Sequence, residues 1–358
     1  MKSAQQICAD CHIFSNLKLL FAFHRISIER ARSTIIAEKE VHYVGTDSAD
    51  PKSIIFSDGF ALKRWRRGRV SIIVGNVSTN GYVNGVGTDA RLTRVTSKAE
   101  LRDSVWLLAD LYNHCIRMLH VRNQTISDYL GVCEERVNPP RLRPPGLSYP
   151  YGLILNRFNR TLVYLSQEQK IWRIDTNSSE ILTIYEDARK LTYIRFYSQM
   201  VWHKNWLIVT YRDSILRLDL PRRRTYPKEI FYTVTDKIEW TVIAAYPREE
   251  PLNLPRFRAI TSCGLEGVFI AADFAHNTVK LLDFNTKSIS TVCEENPTNS
   301  SYNCSISSPY AVFCSTELAK LYIGHESGLT LQRGESSRAA QLPILNTKHF
   351  GCQIEQTI

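Results

Sequence analysis

The densest charge in the sequence lies in one seven-residue stretch, in which five cations surround a single indole. Its charged and aromatic residues are Lys63, Arg64, Trp65, Arg66, Arg67 and Arg69. Guanidinium groups bind phosphate or sulfate through paired hydrogen bonds, and an indole stacks on a base or a sugar ring. A second basic run consists of Arg222, Arg223 and Arg224. Both runs are therefore candidate ligand-binding sites, and the alternative is that they are solvated hairpin turns.

Cys8, Cys11 and His12 match the pattern C-x-x-C-H, which attaches c-type haem. The two thiols would bind the haem edge and the imidazole would bind the iron. No cytochrome-like helical domain is predicted around them, so an incidental pair of cysteines is favoured over haem, zinc or redox chemistry.

The other histidines give no catalytic or metal-binding pattern, because none of the nine forms an H-x-x-x-H or H-x-H pair. His114, His276 and His325 fall in equivalent predicted loops, where they could share one face, but ordinary turn histidines are favoured. The sequence contains no G-x-S-x-G, P-loop or paired-carboxylate motif. We therefore expect no catalytic residue, no metal and no cofactor.

Composition indicates a globular chain with a basic surface. Of 358 residues, 44 % are hydrophobic and 22 % are charged, and the formal net charge is +10 at pH 7. This balance favours anionic partners, although a basic surface that only maintains solubility would have the same net charge. No run reaches the roughly 18 apolar residues of a membrane span.

Cysteines and glycosylation sequons favour the secretory route. Among the nine cysteines, two spacings predict disulfides, Cys115 with Cys133 and Cys293 with Cys304. Six N-x-S/T sequons occur where chance gives roughly two or three. They begin at Asn76, Asn123, Asn159, Asn177, Asn299 and Asn303. The first 23 residues make a poor signal peptide, so a cytoplasmic location is the alternative.

Short apolar runs that end in a small or acidic residue recur about every 53 residues. Their last residues are Asp58, Asp110, Ser166, Thr210, Asp273 and Gly324. A second alternating strand, and in most repeats a third, follows each run after a polar turn. This spacing predicts an all-β propeller of four-stranded antiparallel blades. Six repeats fit between residues 40 and 345, so we expect an N-terminal arm at 1–33, a six-bladed propeller at 34–345 and a tail at 346–358.

The stretch 75–121 resembles the NHL-repeat family, whose blades combine a glycine-rich linker with a strand ending in AD and the sequence xxNHxIR. The matching residues are Ala109, Asp110, Asn113, His114, Ile116 and Arg117, with Asn84 in place of the family's Asp. Residues 150–152, 309–311 and 271–283 match further fragments. Since the motif repeats between blades, structural roles are expected for Asp110, Asn113 and His114, with the first two binding the backbone of their own turn.

The leading functional prediction is a non-catalytic binding or scaffold propeller that recognises protein or anionic glycan ligands through loops on one face. The resemblance implies an alternative, RNA binding through a basic face, which in the family commonly carries the inter-blade linkers. That side has a thinner set of cations, namely Arg91, Arg94, Arg141 and Arg143. The third hypothesis is a hydrolase or lyase with its active site in the central channel.

Overall fold

The structure is a computed structural model. It describes residues 37, 39–102, 104–131, 133, 147–167, 170–186, 199–204, 206–211, 214–219, 256–286, 288–294, 302–303, 306–317 and 320–333. The predicted arm at 1–33 and tail at 346–358 lie outside these ranges, so the domain limits stay predictions. Among the described residues, no helix is both long and apolar enough to cross a membrane.

The described strands of the first half form three antiparallel sheets. Sheet 1 contains β1 (Val44–Asp47), β2 (Asp50–Asp58), β3 (Ala61–Arg66) and β4 (Arg69–Gly75). Sheet 2 contains β5 (Gly85–Val86), β6 (Val95–Arg102), β7 (Val105–Asp110), β8 (Cys115–His120) and β9 (Thr125–Gly131), in the spatial order β6-β7-β8-β9-β5. Sheet 3 contains β10 (Pro150–Leu155), β11 (Leu162–Gln167), β12 (Lys170–Asp175) and β13 (Ile181–Glu186).

The second half forms three more sheets. Sheet 4 contains β14 (Met200–His203), β15 (Trp206–Tyr211) and β16 (Ser214–Asp219). Sheet 5 contains β17 (Phe257–Ser262), β18 (Val268–Asp273), β19 (Thr278–Asp283), β20 (Ser288–Glu294) and the short parallel β21 (Tyr302–Asn303). Sheet 6 contains β22 (Ala311–Ser315), β23 (Lys320–His325) and β24 (Gly328–Arg333). Among the described residues, sheets 4 and 6 show three strands each, and the residues that follow them, 220–255 and 334–358, lie outside the described ranges.

The recurring apolar runs are the second strands of these sheets: β2, β7, β11, β15, β18 and β23. A second strand is covered on both faces, because a neighbouring sheet packs on each side. Every residue of β7 and of β18 is buried. In one such interface, Leu107 and Ala109 of sheet 2 pack with Val163 and Leu165 of sheet 3. The double-sided burial explains why the runs are nearly continuous instead of alternating.

The first strands of successive sheets lie side by side: β6 with β10, β10 with β14, β14 with β17, and β17 with β22. β22 in turn adjoins β1, and the amide of Val41 donates to the carbonyl of His325 at 3.1 Å. Residues 32–332 thus form one compact unit, in which antiparallel blades are arranged as in a propeller. The upper face is the side on which the chain leads into each first strand and turns from the second strand to the third. The lower face carries the other turns.

Two disulfides are described. One joins Cys115 to Cys133 within sheet 2, which is the pair that the hairpin around Asn123 predicts. The other joins Cys263, after β17, to Cys314 in β22, and so links sheets 5 and 6. Sequence spacing did not predict this second bond, because its cysteines are 51 residues apart in different blades. The predicted Cys293–Cys304 pair is not described, since Cys304 lies outside the described ranges.

Candidate functional site

The last or next-to-last residue of a second strand binds the backbone at or just before the first strand of the same sheet. In sheet 2, Asp110 Oδ1 accepts hydrogen bonds from the amides of Thr93 at 3.0 Å and Arg94 at 3.2 Å, and from the Thr93 hydroxyl at 2.6 Å. Asp110 is fully buried. Its carboxylate therefore satisfies donors that the ladder leaves open, and it fixes where Arg94 stands on the upper face.

The same anchor recurs in the other five sheets. Side-chain oxygens accept from the incoming backbone in four of them, and a backbone carbonyl does so in sheet 6, all at 2.8 or 2.9 Å. The pairs are Asp58 with Lys39, Ser166 with Gly152, Thr210 with Gln199, Asp273 with Arg256, and Gly324 with Tyr310. In the five sheets where a side chain accepts, this shared task explains why the apolar run ends in Asp, Ser or Thr.

In sheet 2, Arg117 also fixes the linker to the blade, through buried contacts. Its guanidinium contacts Asp110 Oδ2 and Asp128 Oδ1, each at 3.3 Å, and donates to Asn84 Oδ1 at 2.7 Å. Asn113 Nδ2 donates to the carbonyl of Gly81 at 2.9 Å and to Asp110 at 2.8 Å. These residues hold the linker 81–94 against the blade. The expectation that Asp110 and Asn113 bind the backbone of their own turn was wrong, because their backbone partners lie in this linker.

His114 is also structural in its contacts. It has a positive φ of 54° and is buried, and its Nδ1 accepts from the amide of Tyr149 at 3.2 Å. Its ring packs edge-on against Tyr149 with centroids 4.3 Å apart. Sheets 2 and 3 are thereby joined on the upper face.

Beside these anchors, a group of charged and aromatic side chains crosses the upper face. Glu40 Oε2 lies 2.9 Å from His42 Nε2 and 2.5 Å from an Arg94 guanidinium nitrogen. The other terminal nitrogen of Arg94 donates to the Tyr112 hydroxyl at 3.0 Å, and the guanidinium lies 4.9 Å from the centroid of the same ring. Tyr112 then meets Tyr149 edge-on at 6.2 Å.

On the other side, the group continues into sheets 6 and 5. The ring of His42 lies 4.1 Å from that of Tyr310. Tyr310 packs against Phe274 at 5.4 Å, and the Arg258 guanidinium stands 4.0 Å from the Phe274 centroid and 5.3 Å from that of Tyr310. We refer to this set as the upper-face cluster: Glu40, His42, Arg94, Tyr112, Tyr149, Arg258, Phe274 and Tyr310.

The protonation of the cluster follows from its burial and contacts. Burial lowers the pKa of His42 to about 4, so the imidazole is neutral at pH 7. The hydrogen bond from His42, and then the charge of Arg94, hold the pKa of Glu40 below its usual value. Burial raises the pKa of Tyr310, as do the charges of Glu40 and Glu326. The cluster therefore presents guanidinium groups, one ionised carboxylate and neutral rings.

Three groups of the cluster keep unused hydrogen-bonding capacity. A guanidinium has five N–H donors, and the described residues accept two from Arg94. Glu40 uses Oε2 for both of its contacts, which leaves Oε1 without a partner among the described residues. The Tyr112 hydroxyl accepts from Arg94 and has no acceptor for its own proton in the described part of the chain. The side chains of Arg94 and Glu40 are partly exposed.

The predicted basic stretch lies on the lower face, at the turn between β3 and β4. Three of its cations are paired within sheet 1: Lys63 with Asp58 at 2.5 Å, Arg64 with Asp47 at 2.7 Å, and Arg66 with Asp50 at 2.8 Å. Trp65 packs against the core between sheets 1 and 6. Arg67 and Arg69 are exposed. Ligand binding by this stretch stays a prediction.

The remaining sequence-predicted sites divide between described and undescribed residues. Those outside the described ranges are Cys8, Cys11, His12, Arg222, Arg223, Arg224 and Asn299. His276 Nδ1 contacts Asp273 at 2.6 Å, and both His114 and His325 are buried. The three histidines lie on the upper face, as expected, but no group of metal-ligating side chains occurs among the described residues.

The described sequons fall mostly on one face. Asn123, Asn159 and Asn177 lie in lower-face turns, between β8 and β9, β10 and β11, and β12 and β13 respectively. Asn76 follows β4 on the upper face, and Asn303 belongs to the short β21. Glycosylation of these residues stays a prediction.

Sequence reasoning missed most of the upper-face cluster and recorded Arg94 only as one of four scattered cations. Most of its members stand one to four residues before a first strand or in a turn between second and third strands, and Arg258 lies within the first strand β17. The usable signal was the repeat itself, because aligning the segments before each first strand would have placed Glu40, Arg94, Tyr149 and Tyr310 together.

Comparison with solved structures supports the propeller. An auxiliary nutrient-binding protein from Bacteroides thetaiotaomicron gives a TM-score of 0.57 at 9 % identity, covering 82 % of this chain and 69 % of that one. A β-propeller domain from Myceliophteria thermophila gives 0.51 at 10 % identity, covering 84 % and 98 %. The extracellular domain of a putative hybrid two-component system from B. thetaiotaomicron gives 0.53 at 12 % identity, covering 85 % of this chain.

These likenesses establish the fold class only. This chain spans 40 % of the length of the two-component extracellular domain. No protein-family model matches the chain, and no curated protein matches it. The chain is thus similar to propellers with which it shares about a tenth of its residues.

Proposed function

We propose that this chain is a non-catalytic binding propeller of the secretory pathway or extracellular space, which recognises a protein or anionic glycan on its upper face. The observation that carries the proposal is the upper-face cluster, in which Glu40, Arg94 and Tyr112 keep unused donors and acceptors beside exposed aromatic surface. A binding site of this kind has a few fixed polar groups among rings.

The architecture that we propose is a six-bladed, NHL-like ring. Six sheets are described, and the first strands of sheets 2 to 6 adjoin in sequence order. Sheet 1 adjoins sheet 6 through β1 and β22, and it meets sheet 2 where Lys98 donates to the Thr46 carbonyl. The residues that resemble the NHL motif act as anchors, since Asp110, Asn113 and Arg117 fix the linker to its blade. A stiff scaffold of this type presents its loops at low entropic cost on binding.

Two observations support the extracellular location. Both described disulfides need an oxidising compartment to persist, and the one between Cys263 and Cys314 links two blades. Two of the similar structures are a nutrient-binding protein and an extracellular domain, which agrees with a binding role outside the cytoplasm.

RNA binding in the cytoplasm has less support. The basic stretch uses three of its five cations in ion pairs with aspartates of sheet 1, so few charges remain for a phosphate backbone. On the linker side, a guanidinium nitrogen of Arg91 donates to three carbonyls of its own loop. The descriptions of the similar structures reported above do not mention RNA.

The test compares the two faces. The chain is secreted from eukaryotic cells behind an added signal sequence, and its binding to intact cell surfaces is measured for Arg94→Gln/Arg258→Gln and for the matched lower-face pair Arg67→Gln/Arg69→Gln. Each pair removes two positive charges. Loss of binding in the first pair alone is the expected result. Equal binding by both pairs, or loss confined to the lower-face pair, contradicts the proposal.

A further inference from the structure

Protein contacts fix the position of Arg94, although most of its N–H donors have no acceptor among the described residues. Its two terminal nitrogens each donate once, to Glu40 and to the Tyr112 hydroxyl, and Asp110 fixes its backbone. Three N–H donors therefore have no acceptor among the described residues. A fixed planar fork of this kind matches a carboxylate or sulfate group, which accepts two parallel hydrogen bonds.

Glu40 and Tyr112 add a hydrogen-bond acceptor and a hydrogen-bond donor beside the guanidinium of Arg94. Glu40 keeps Oε1 as an acceptor, and its lowered pKa keeps the carboxylate ionised at neutral pH. The Tyr112 hydroxyl keeps its proton for donation. An ionised carboxylate within 2.5 Å of the arginine accepts from a hydroxyl, which a peptide made only of acidic residues does not offer. The pattern therefore fits a ligand that carries hydroxyl groups next to its anionic group.

The rings of the cluster provide flat apolar surface beside the polar groups. Tyr112 and Tyr310 are both partly exposed, and each has a guanidinium about 5 Å from its ring centroid. The apolar face of a pyranose ring packs on such a surface, while its hydroxyls reach carboxylate and phenol groups at the edge.

The geometry points to an anionic saccharide as the ligand of the upper face, bound with its carboxylate or sulfate on Arg94, a hydroxyl on Glu40 Oε1 and a ring against Tyr112. This inference rests on the proposed function and narrows its ligand class from protein or anionic glycan to the glycan. It assigns Arg94 the anionic group and Glu40 the discrimination against acidic peptides.

The experiment titrates the secreted full chain with four probes at low salt. These are a hyaluronan octasaccharide, which carries carboxylates, a heparin octasaccharide, which adds sulfates, neutral maltooctaose, and a hexaglutamate peptide. We expect at least one acidic octasaccharide to bind, and the neutral and peptide probes to bind at least about tenfold more weakly. Which of the two acidic probes binds more tightly separates carboxylate from sulfate recognition.

Variants then assign the contact. Arg94→Gln is expected to weaken the acidic octasaccharide by about tenfold or more, and Arg94→Lys by less, because lysine keeps the charge but loses the fork. Arg67→Gln, which removes one exposed lower-face charge, is the matched control and is expected to change nothing. Thermal unfolding of each variant checks that the blade is intact, and Tyr112→Phe, which keeps the ring, tests the hydroxyl separately.

Three outcomes overturn the inference: neither acidic octasaccharide binds, Arg94→Gln binds as well as the unaltered chain, or hexaglutamate binds as tightly as the sugars. A separate result decides whether the proposed function fails as well. If the acidic octasaccharides fail but Arg94→Gln/Arg258→Gln still abolishes cell-surface binding, the ligand is not an anionic saccharide and the upper face remains the binding surface. If the double variant is also without effect, both fail.

Discussion

Asp110 and Arg117 form an ion pair in which both side chains are fully buried, with Oδ2 and the guanidinium nitrogen 3.3 Å apart. Breaking a buried pair leaves a charge without compensation, which costs about 3–5 kcal/mol. Asp110→Asn is therefore expected to lower the free energy of unfolding by about 3 kcal/mol, as measured by urea denaturation.

The control for this prediction is Asp128→Asn, which removes the second carboxylate on the same arginine. The Asp128 side chain is 42 % exposed, so the loss should stay within about 1 kcal/mol. Equal losses in the two variants would mean that the buried pair of Asp110 and Arg117 contributes no more to stability than the exposed contact of Asp128.

Gly324 stands where the last sheet meets the first. A Cβ at this position would come within 2.6 Å of the Val41 carbonyl oxygen, which is backbone and has little freedom to move. Since Val41 also donates to His325, Gly324→Ala should separate sheets 1 and 6 and lower the midpoint of thermal unfolding. A loss of about 1–3 kcal/mol is expected for such overpacking.

Gly85→Ala is the matched control, because its Cβ would meet nothing closer than 3.7 Å. Cleavage by a protease at low concentration gives a second readout, since an opened ring exposes the segment 37–43. If both alanine variants unfold at the same temperature, the contact between Val41 and Gly324 does not close the ring.

The repeat was visible in the sequence because one physical task recurs in it. Asp58, Asp110 and Asp273 each end a strand that is buried on both faces, and each binds the incoming backbone. Burial and anchoring together force the pattern of an apolar run followed by an acceptor. Local patterning therefore predicted antiparallel blades in a propeller arrangement and the Cys115–Cys133 bond within one hairpin.

The upper-face cluster could not be predicted in the same way, because its members come from five sheets and share no short-range spacing. Arg94 and Glu40 are 54 residues apart in sequence, and only the closed arrangement of blades brings them within 2.5 Å. The ion pairs of the basic stretch could not be predicted for a related reason. Charge density is a local property, whereas the partners of Lys63 and Arg64 lie on other strands of the same sheet.

His42 predicts a dependence of stability on pH. Burial lowers its pKa from 6.5 to about 4, and Glu40, Arg94 and Arg258 are the charged groups that act on it. A folded pKa below the unfolded one means that the unfolded chain takes up the proton first as pH falls. The contribution of neutral His42 to the free energy of unfolding is therefore complete above about pH 6.5. It is lost as the pH falls towards 4, at up to about 1.4 kcal/mol per pH unit.

The measurement is the urea midpoint at pH 7.5 and at pH 5 for the unaltered chain and for His42→Gln. The variant should lose stability at pH 7.5 but show a shallower decline on acidification. His120→Gln, at the end of β8, is the matched histidine control and should keep the full slope. A slope that survives in His42→Gln would assign the acid sensitivity to other groups.

The lower-face sequons predict where carbohydrate would be attached. Asn123 and Asn177 are exposed at hairpin turns, whereas Asn159 is partly buried. We expect a peptide N-glycosidase to reduce the mass of the secreted chain, with Asn123→Gln and Asn177→Gln each removing one glycan. Mass spectrometry of the released peptides gives the occupancy of each site.

The position of these glycans also bears on the ligand face. Carbohydrate on Asn123 and Asn177 would cover the lower face and leave the upper-face cluster open, so enzymatic deglycosylation should leave Arg94-dependent binding unchanged. A glycan at Asn76, which follows β4 on the upper side, would instead lie near the linker of sheet 2. If glycosidase treatment causes no mass change, the secretory location is contradicted. If deglycosylation weakens binding, the ligand binds on the lower face and not at the upper-face cluster.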